Sequence, residues 1–149
     1  MSSKLRLAAL ALGLSVLATG AFAQAPEIAQ RQDRMKAVGA AVGQMAPVMR
    51  NEQPWNAATM GQAATAVATN LTAAKALYPA GSTHANSRAL PAIWERKAEF
   101  DGFMDRSVAA AQALVQAAAA GNEAGFRAAF PALGQSCGAC HTPFRRPQS

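Results

Sequence analysis

The chain has 149 residues, which is enough for one domain built around one core. Its formal net charge is +6, and its basic residues are scattered apart from the pair Arg145-Arg146. No basic stripe is interleaved with aromatic side chains, which argues against a nucleic-acid-binding protein.

The first 23 residues are predicted to be a secretory signal peptide. Lys4 and Arg6 precede an apolar run over residues 7–18, and the small-residue triplet Ala21-Phe22-Ala23 follows. The run is shorter than the roughly 20 residues that span a bilayer, which disfavours an uncleaved membrane anchor. Export to the periplasm would leave one domain over residues 24–149. Without Lys4 and Arg6 it keeps 12 basic and 8 acidic residues, a net charge of +4 that suits steering toward acidic partners.

The first half of that domain predicts two helices, because alanine dominates and apolar residues recur at helical spacing. The first helix runs from about Pro26 to Arg50, and Arg31 falls on its apolar seam. The other residues of this seam are Ile28, Met35, Val38, Val42, Met45 and Met49. The second helix runs from about Asn56 to Tyr78, and a loop rich in turn-forming residues follows over residues 79–90.

The second half predicts two more helices. One begins near Pro91, a residue suited to a first helical position, and ends before Gly121. Asn122 caps the other. The apolar stripe of this last helix consists of Phe126, Phe130, Leu133, Cys137, Cys140 and Phe144. Pro47 and Pro131 lie inside predicted helices, and each is expected to kink or interrupt its helix. The pattern predicts an all-α fold, an antiparallel up-down-up-down four-helix bundle.

The candidate cofactor-binding residues lie in the last predicted helix. Cys137, Cys140 and His141 form a C-x-x-C-H motif there on the core-facing stripe. This spacing is that of covalent haem attachment. Two thiols one helical turn apart reach two vinyl groups on one edge of the porphyrin, and the adjacent histidine reaches the iron. The motif therefore predicts one covalently bound haem c, with His141 as the proximal ligand.

Three other interpretations of the cysteine pair fit less well. A disulfide between positions i and i+3 would constrain little of the unfolded chain. A structural zinc site needs four ligands, and the only other histidine is His84 in the long loop. A dithiol oxidoreductase places its C-x-x-C beside a βαβ pattern, not in a C-terminal helix.

The sequence resembles the class II cytochromes c, the family of cytochrome c′ and its low-spin relative cytochrome c-556. The resemblance covers the whole mature chain. It is clearest in "RQDRMKAVG" from Arg31, "LPAIWERKAEFD" from Leu90 and "CGACHTPFR" from Cys137. A C-x-x-C-H motif near the C-terminus is itself distinctive of that family.

The resemblance implies that the first helix supplies the residue facing the haem, and Met35 is the candidate. In low-spin members the axial methionine lies in a Met-Lys-x-x-Gly setting, which Met35 to Gly39 fit. Some five-coordinate members carry a methionine here without bonding the iron. Met35 is therefore either an axial thioether ligand or a methionine that fills the core.

Two arginines are candidates for contacts near the haem. Arg31 needs a partner for its charge, and a haem propionate would supply one. Its alternative is a surface arginine whose head reaches water. The resemblance places Arg145 beside the proximal pocket, and its alternative is an ordinary cation near a helix C-terminus. The aromatic residues expected to pack around the macrocycle are Tyr78, Trp94, Phe100 and Phe144, whereas Trp55 is either core edge or partner surface.

These residues predict a periplasmic monohaem electron carrier with His141 and Met35 as axial ligands. It would have no catalytic residues, and its partners would be redox proteins. The alternative is a five-coordinate cytochrome c′ that binds nitric oxide or carbon monoxide. A homodimer formed through the first two helices is compatible with either function, and no stable membrane span is expected after signal removal.

Overall fold

The computed structural model describes residues 26–147, so the predicted signal peptide lies outside the described residues. The helices are α1 (Pro26–Met49), α2 (Ala57–Lys75), α3 (Ala92–Glu95), α4 (Lys97–Ala119) and α5 (Glu123–Phe144). No strand occurs within residues 26–147, where the only β pairing is an isolated bridge between Ala89 and Arg145. The four long helices pack α1 on α2, α2 on α4 and α4 on α5. The predicted all-α four-helix bundle is confirmed.

The helix ends follow from local capping chemistry. Asn51 and Gly121 adopt left-handed φ values of 60° and 63° just after α1 and α4. The amides of Gly121 and Asn122 donate to the carbonyls of Ala118 and Ala117. The amides of Asn51 and Glu52 donate in the same way to the carbonyls of Val48 and Pro47. Both ends are Schellman motifs, which satisfy the last helical carbonyls and reverse the chain.

The helix starts also agree with the sequence. The Asn122 side chain accepts a hydrogen bond from the amide of Gly125 at 2.9 Å, as its predicted capping role requires. Asn56 does the same for Thr59 at the start of α2, also at 2.9 Å. Each cap satisfies one amide that has no partner within its own helix.

Helix continuity differs from the sequence-based expectation in two places. α1 and α5 run through Pro47 and Pro131, so of the kink or interruption expected at each proline the interruption does not occur. Pro47 lies in the last turns of α1, where it frees only the carbonyl of the exposed Gly43. Conversely, the predicted third helix breaks at Arg96, whose φ and ψ are −124° and 48°. This break separates the single turn α3 from α4.

The core runs the length of the bundle and contains residues from all five helices. Its largest fully buried side chains are Phe126, Ile28, Met45, Met60, Ile93, Leu114, Leu133 and Val67. None of the helices within residues 26–147 has the length and apolar character needed to cross a membrane.

Candidate haem-attachment site

Cys137, Cys140 and His141 lie in the last two turns of α5. Both cysteines are free thiols; Cys140 is buried, with 7% of its surface exposed, and Cys137 is half-buried against the core. His141 is half-buried, and its ring has no hydrogen-bond partner among residues 26–147. The α5 stripe therefore presents two unbridged thiols and an unengaged imidazole within two turns of chain.

Burial sets the protonation of all three groups. Desolvation raises the pKa of Cys137, and desolvation together with the neighbouring Cys137 raises the pKa of Cys140 to about 11. The pKa of His141 is lowered, first by burial and then by the positive charges of Arg145 and Arg88. Before haem is attached, the site at neutral pH therefore holds two protonated thiols and a neutral imidazole, the form of histidine that binds a metal.

Met35 lies on α1 and is half-buried against the core, as are Val42 and Met49 of the same helix. A Cβ placed on Gly39, one turn after Met35, would meet no atom within 4 Å. The side of α1 that carries Met35 is thus less completely covered by protein than the side that carries Val38, which is buried.

Arg31 is buried, with only 3% of its surface exposed. One Nη donates to the Ser82 hydroxyl at 3.1 Å and the Leu77 carbonyl at 3.4 Å, and the other donates to the Ser82 carbonyl at 2.7 Å and the Ser87 hydroxyl at 2.8 Å. The guanidinium carbon lies 4.8 Å from the centroid of the Tyr78 ring. The interpretation of Arg31 as a surface arginine reaching water is therefore wrong: its head is enclosed by the loop after α2.

Ser87 links the loop around Arg31 to the C-terminal end of α5. Its hydroxyl accepts from Arg31, while its carbonyl accepts a hydrogen bond from the Arg146 guanidinium. The Arg146 amide also donates to the Arg88 carbonyl at 2.8 Å, and the Leu90 amide donates to the Phe144 carbonyl at 3.0 Å. The loop thus holds the N-terminal part of α1 and the C-terminal part of α5 at the same end of the bundle.

Arg145 lies in this paired segment, directly after α5, with its side chain exposed. Its amide donates to the His141 carbonyl at 3.0 Å, and its charge contributes to the lowered pKa of His141. Arg145 therefore lies beside His141, and the role near the haem that the resemblance implies for it stays a prediction.

Three of the four aromatic residues named from the sequence form one cluster at this end. Tyr78 packs edge-on against Phe100 at 4.7 Å between centroids, and Phe100 packs against Phe144 at 5.4 Å. Trp94 lies beside Arg31, 5.8 Å from its guanidinium carbon, and its indole N–H donates to the Pro79 carbonyl at 2.7 Å.

Trp55 lies apart from this cluster. It is half-buried and packs against Phe126 at 5.1 Å, near the start of α5. Trp55 is therefore core edge at the opposite end of the bundle.

Sequence reasoning missed Ser82 and Ser87, both buried in the loop. The signal that could have found them was Arg31 itself, because a cation on a core seam needs oxygen acceptors. The following loop, "PAGSTHANSRAL", supplies hydroxyls and carbonyls within reach of a long side chain. Which serines meet the guanidinium depends on how the loop folds back.

The donor set fits covalent haem attachment. Protonated thiols one turn apart can add to vinyl groups, and a neutral histidine one residue further along can bind iron. A zinc site does not fit, because no group of three or more His, Cys, Asp or Glu side chains in residues 26–147 is arranged to hold a metal ion.

A four-helix bundle with a C-x-x-C-H motif in its last helix defines a haem c protein of the bundle class. The profile of the cytochrome C′ family matches residues 26–145, and the chain belongs to that family. It is 36% identical over 121 residues to cytochrome c-556 of Agrobacterium tumefaciens (strain B2A), which covers 81% of this chain and 98% of that protein. It is also 36% identical over 148 residues to cytochrome c′ of Rhodopseudomonas palustris, covering 98% of this chain and 99% of that protein.

A solved structure agrees with these relatives. The chain superposes with a TM-score of 0.76 and 28% identity on a nitric oxide complex of a cytochrome c prime variant from Alcaligenes xylosoxidans, covering 82% of this chain and 94% of that one. As a member of this family the chain carries one covalently attached haem c. It is an electron-carrying or gas-binding haem protein of a family that is periplasmic in bacteria.

Proposed function

We propose that the chain is a periplasmic electron carrier whose haem is attached through Cys137 and Cys140 and whose iron is low-spin, bound by His141 and Met35. The observation that carries this proposal is the double hydrogen bonding of Ser87. It brings the part of α1 that holds Arg31 to the same end of the bundle as the last turn of α5. Met35 lies one turn after Arg31, about 6 Å along the helix axis, so we expect its thioether to face the haem-attachment site.

The haem supplies the one-electron chemistry, because its iron changes between the ferric and ferrous states. The protein chain binds the haem and sets its reduction potential. A neutral His141 can bind iron without first losing a proton, since burial and two nearby arginines disfavour its protonated form. A methionine opposite a histidine raises the reduction potential, which suits electron transfer.

Arg31 supports the same function from α1. Both of its Nη groups are engaged by the loop, but its Nε–H has no partner among the described residues. This donor is available to a haem propionate, so the loop contacts and the propionate role are compatible. A cation close to the haem also favours reduction, because reduction adds a negative charge to the site.

The second candidate function is binding of nitric oxide or carbon monoxide at a five-coordinate iron. It is favoured by the relatives named cytochrome c′, such as the protein of Rhodopseudomonas palustris. A variant of the related cytochrome c prime from Alcaligenes xylosoxidans has a solved structure as a nitric oxide complex. In this case Met35 would border the vacant iron position without bonding it.

The test is the spectrum of the ferric protein, expressed with haem-attachment machinery and checked for covalent haem by mass spectrometry. Met35→Ala is compared with Met49→Ala, because both methionines are half-buried on α1 and Met49 lies at its far end. We expect a low-spin spectrum with a sulfur-to-iron charge-transfer band in the wild type and in Met49→Ala. Met35→Ala should lose the band, become high-spin and have a lower reduction potential.

Two results would contradict Met35 ligation. One is a high-spin five-coordinate spectrum of the wild-type protein, which together with nitric oxide binding supports the second candidate. The other is a low-spin spectrum that Met35→Ala leaves unchanged.

A further inference from the structure

Half of the cationic side chains in residues 26–147 form an ion pair with a neighbouring carboxylate. The paired residues are Lys36, Arg50, Lys75, Arg96, Lys97 and Arg127. Those without a carboxylate partner among the described residues are Arg31, Arg34, Arg88, Arg106, Arg145 and Arg146. Arg31 is buried by the loop that follows α2, and Arg34 donates to Asn70 on the α1–α2 side of the bundle. Four arginines remain.

Three of these four arginines lie together in the segment that pairs with the loop. Arg88 donates through Nε and Nη2 to the Arg146 carbonyl, at 3.1 and 2.7 Å. The Arg146 guanidinium in turn donates to the carbonyls of Ala85 and Ser87. Arg145 stands between them on the bridge to Ala89. Because carbonyl oxygens fix Arg88 and Arg146, their positive charges are held in place without being neutralised.

Arg106 reaches the same region from α4. Its guanidinium carbon lies 4.3 Å from the centroid of the Phe103 ring. Phe103 in turn lies 5.9 Å from Phe144, the residue just before Arg145. We call Arg88, Arg106, Arg145 and Arg146 the arginine face. Three of them are exposed, and Arg88 is half-buried.

The arginine face adjoins the haem-attachment residues. The Arg145 amide donates to the His141 carbonyl at 3.0 Å. Arg106 lies against Phe103, which packs on Phe144 in the last turn of α5. Residues 26–147 contain 12 basic and 8 acidic residues. The net charge of these residues is therefore +4, which equals the number of arginines in the face, none of which has a carboxylate partner among the described residues.

We propose that the arginine face is the docking surface for a redox protein that presents a cluster of carboxylates. This proposal rests on the proposed electron-carrier function and names the chemistry of the partner. Guanidinium groups match carboxylates with two parallel hydrogen bonds, and complementary charge accelerates association and sets orientation. One electron passes between the partner's redox centre and the iron, with no bond made or broken.

The first test measures binding of poly-L-glutamate to the haem-loaded protein by calorimetry at low ionic strength. Arg106→Gln is compared with Arg34→Gln, because both residues are exposed and neither has a carboxylate partner among the described residues. Each variant loses the same single charge. Loss of one contact at about 4 Å in water is expected to weaken binding by about three- to fivefold in Arg106→Gln. Arg34→Gln should change it by less than about twofold, because Arg34 lies on the α1–α2 side of the bundle and interacts with a polymer bound at the face only over a long distance in water.

The second test asks whether this surface serves electron transfer. The ferrous protein is oxidised by hexacyanoferrate(III), an anionic one-electron acceptor, and the bimolecular rate is measured at increasing salt. We expect the rate to fall with salt and to be lower in Arg106→Gln than in Arg34→Gln, in the same order as the binding constants.

Several outcomes would overturn the proposal. Equal losses in the two variants would show that only net charge matters. Binding that depends on Arg106 while the oxidation rate does not would place docking away from the electron route. Arg106-dependent binding to phosphatidylglycerol vesicles, with no binding of poly-L-glutamate, would assign the face to an anionic membrane. Failure of Met35 ligation would appear in the ferric spectrum and leave poly-L-glutamate binding unchanged, so the two failures are distinguishable.

Discussion

Replacing Ser87 with alanine removes the hydroxyl that accepts a hydrogen bond from Arg31 at 2.8 Å and from the Ala89 amide at 3.2 Å. Ser87 is buried, with 3% of its surface exposed, so water cannot easily replace the lost acceptor. A hydrogen bond to a charged group contributes about 1.5–3 kcal/mol, and a weak neutral one about 0.5 kcal/mol. Because Arg31 keeps its bonds to Ser82, we expect a loss of about 2–3 kcal/mol in the free energy of unfolding.

The assay is thermal unfolding of the haem-loaded protein, followed by circular dichroism. For a domain of this size the unfolding entropy is about 0.25 kcal/mol per kelvin, so the expected fall in Tm is about 8–12 °C. Ser107→Ala is the matched control, because Ser107 is also 3% exposed. The Ser107 hydroxyl donates only to the carbonyl of Phe103 in its own helix, at 3.1 Å. Its loss should cost less than about 1 kcal/mol.

The reasoning would be refuted if the two alanine variants had the same Tm. That result would mean that the bond between Arg31 and Ser87 does not stabilise the folded state beyond what any buried serine contributes. The loop would then lie over α1 without holding it to the end of α5.

Two further predictions concern the arginines at the two ends of α5. The charge of Arg145 lowers the pKa of His141, so the variant Arg145→Gln should have a higher His141 pKa. Acid should then displace His141 from the haem iron at a higher pH than in the wild type. A pH titration of the ferric absorbance measures this, and an unchanged or lower midpoint would contradict it. Arg127 donates to the Val48 carbonyl at the end of α1, at 2.8 Å, and to Glu123. Arg127→Met should therefore lower the free energy of unfolding by about 1–2 kcal/mol, which denaturant titration tests; an unchanged midpoint would show that water replaces the bond.

Much of the architecture could be predicted because it depends on local patterns. The stripe through Phe126, Leu133 and Cys140 predicted which face of α5 is buried, since apolar spacing alone decides that face. Asn122 and Gly121 marked the turn before α5, since their backbone and capping preferences are intrinsic.

The seam of α1 was predicted less accurately. Arg31 and Val38 are buried as expected, but Met35 and Val42 are only half-buried, and Ala41 and Val48 are buried beside them. A helical stripe is wider than the strict heptad positions, and the neighbouring helices decide which edge of it they cover. The break at Arg96 was missed for a similar reason, because contacts of Ile93 and Trp94 with the core and with Pro79 orient the first turn separately from α4.

The sequence by itself determined the class of the protein. The spacing of Cys137, Cys140 and His141 is a property of the chain, and the helical stripes decide which side chains face inward before any tertiary contact forms. Only the tertiary structure decided what surrounds them: the enclosure of Arg31 by Ser82 and Ser87, and the gathering of distant arginines into one face. These contacts join residues up to 61 positions apart. No local pattern specifies them, because the path of the loop between α2 and α3 depends on the carbonyls and hydroxyls that a buried guanidinium must find.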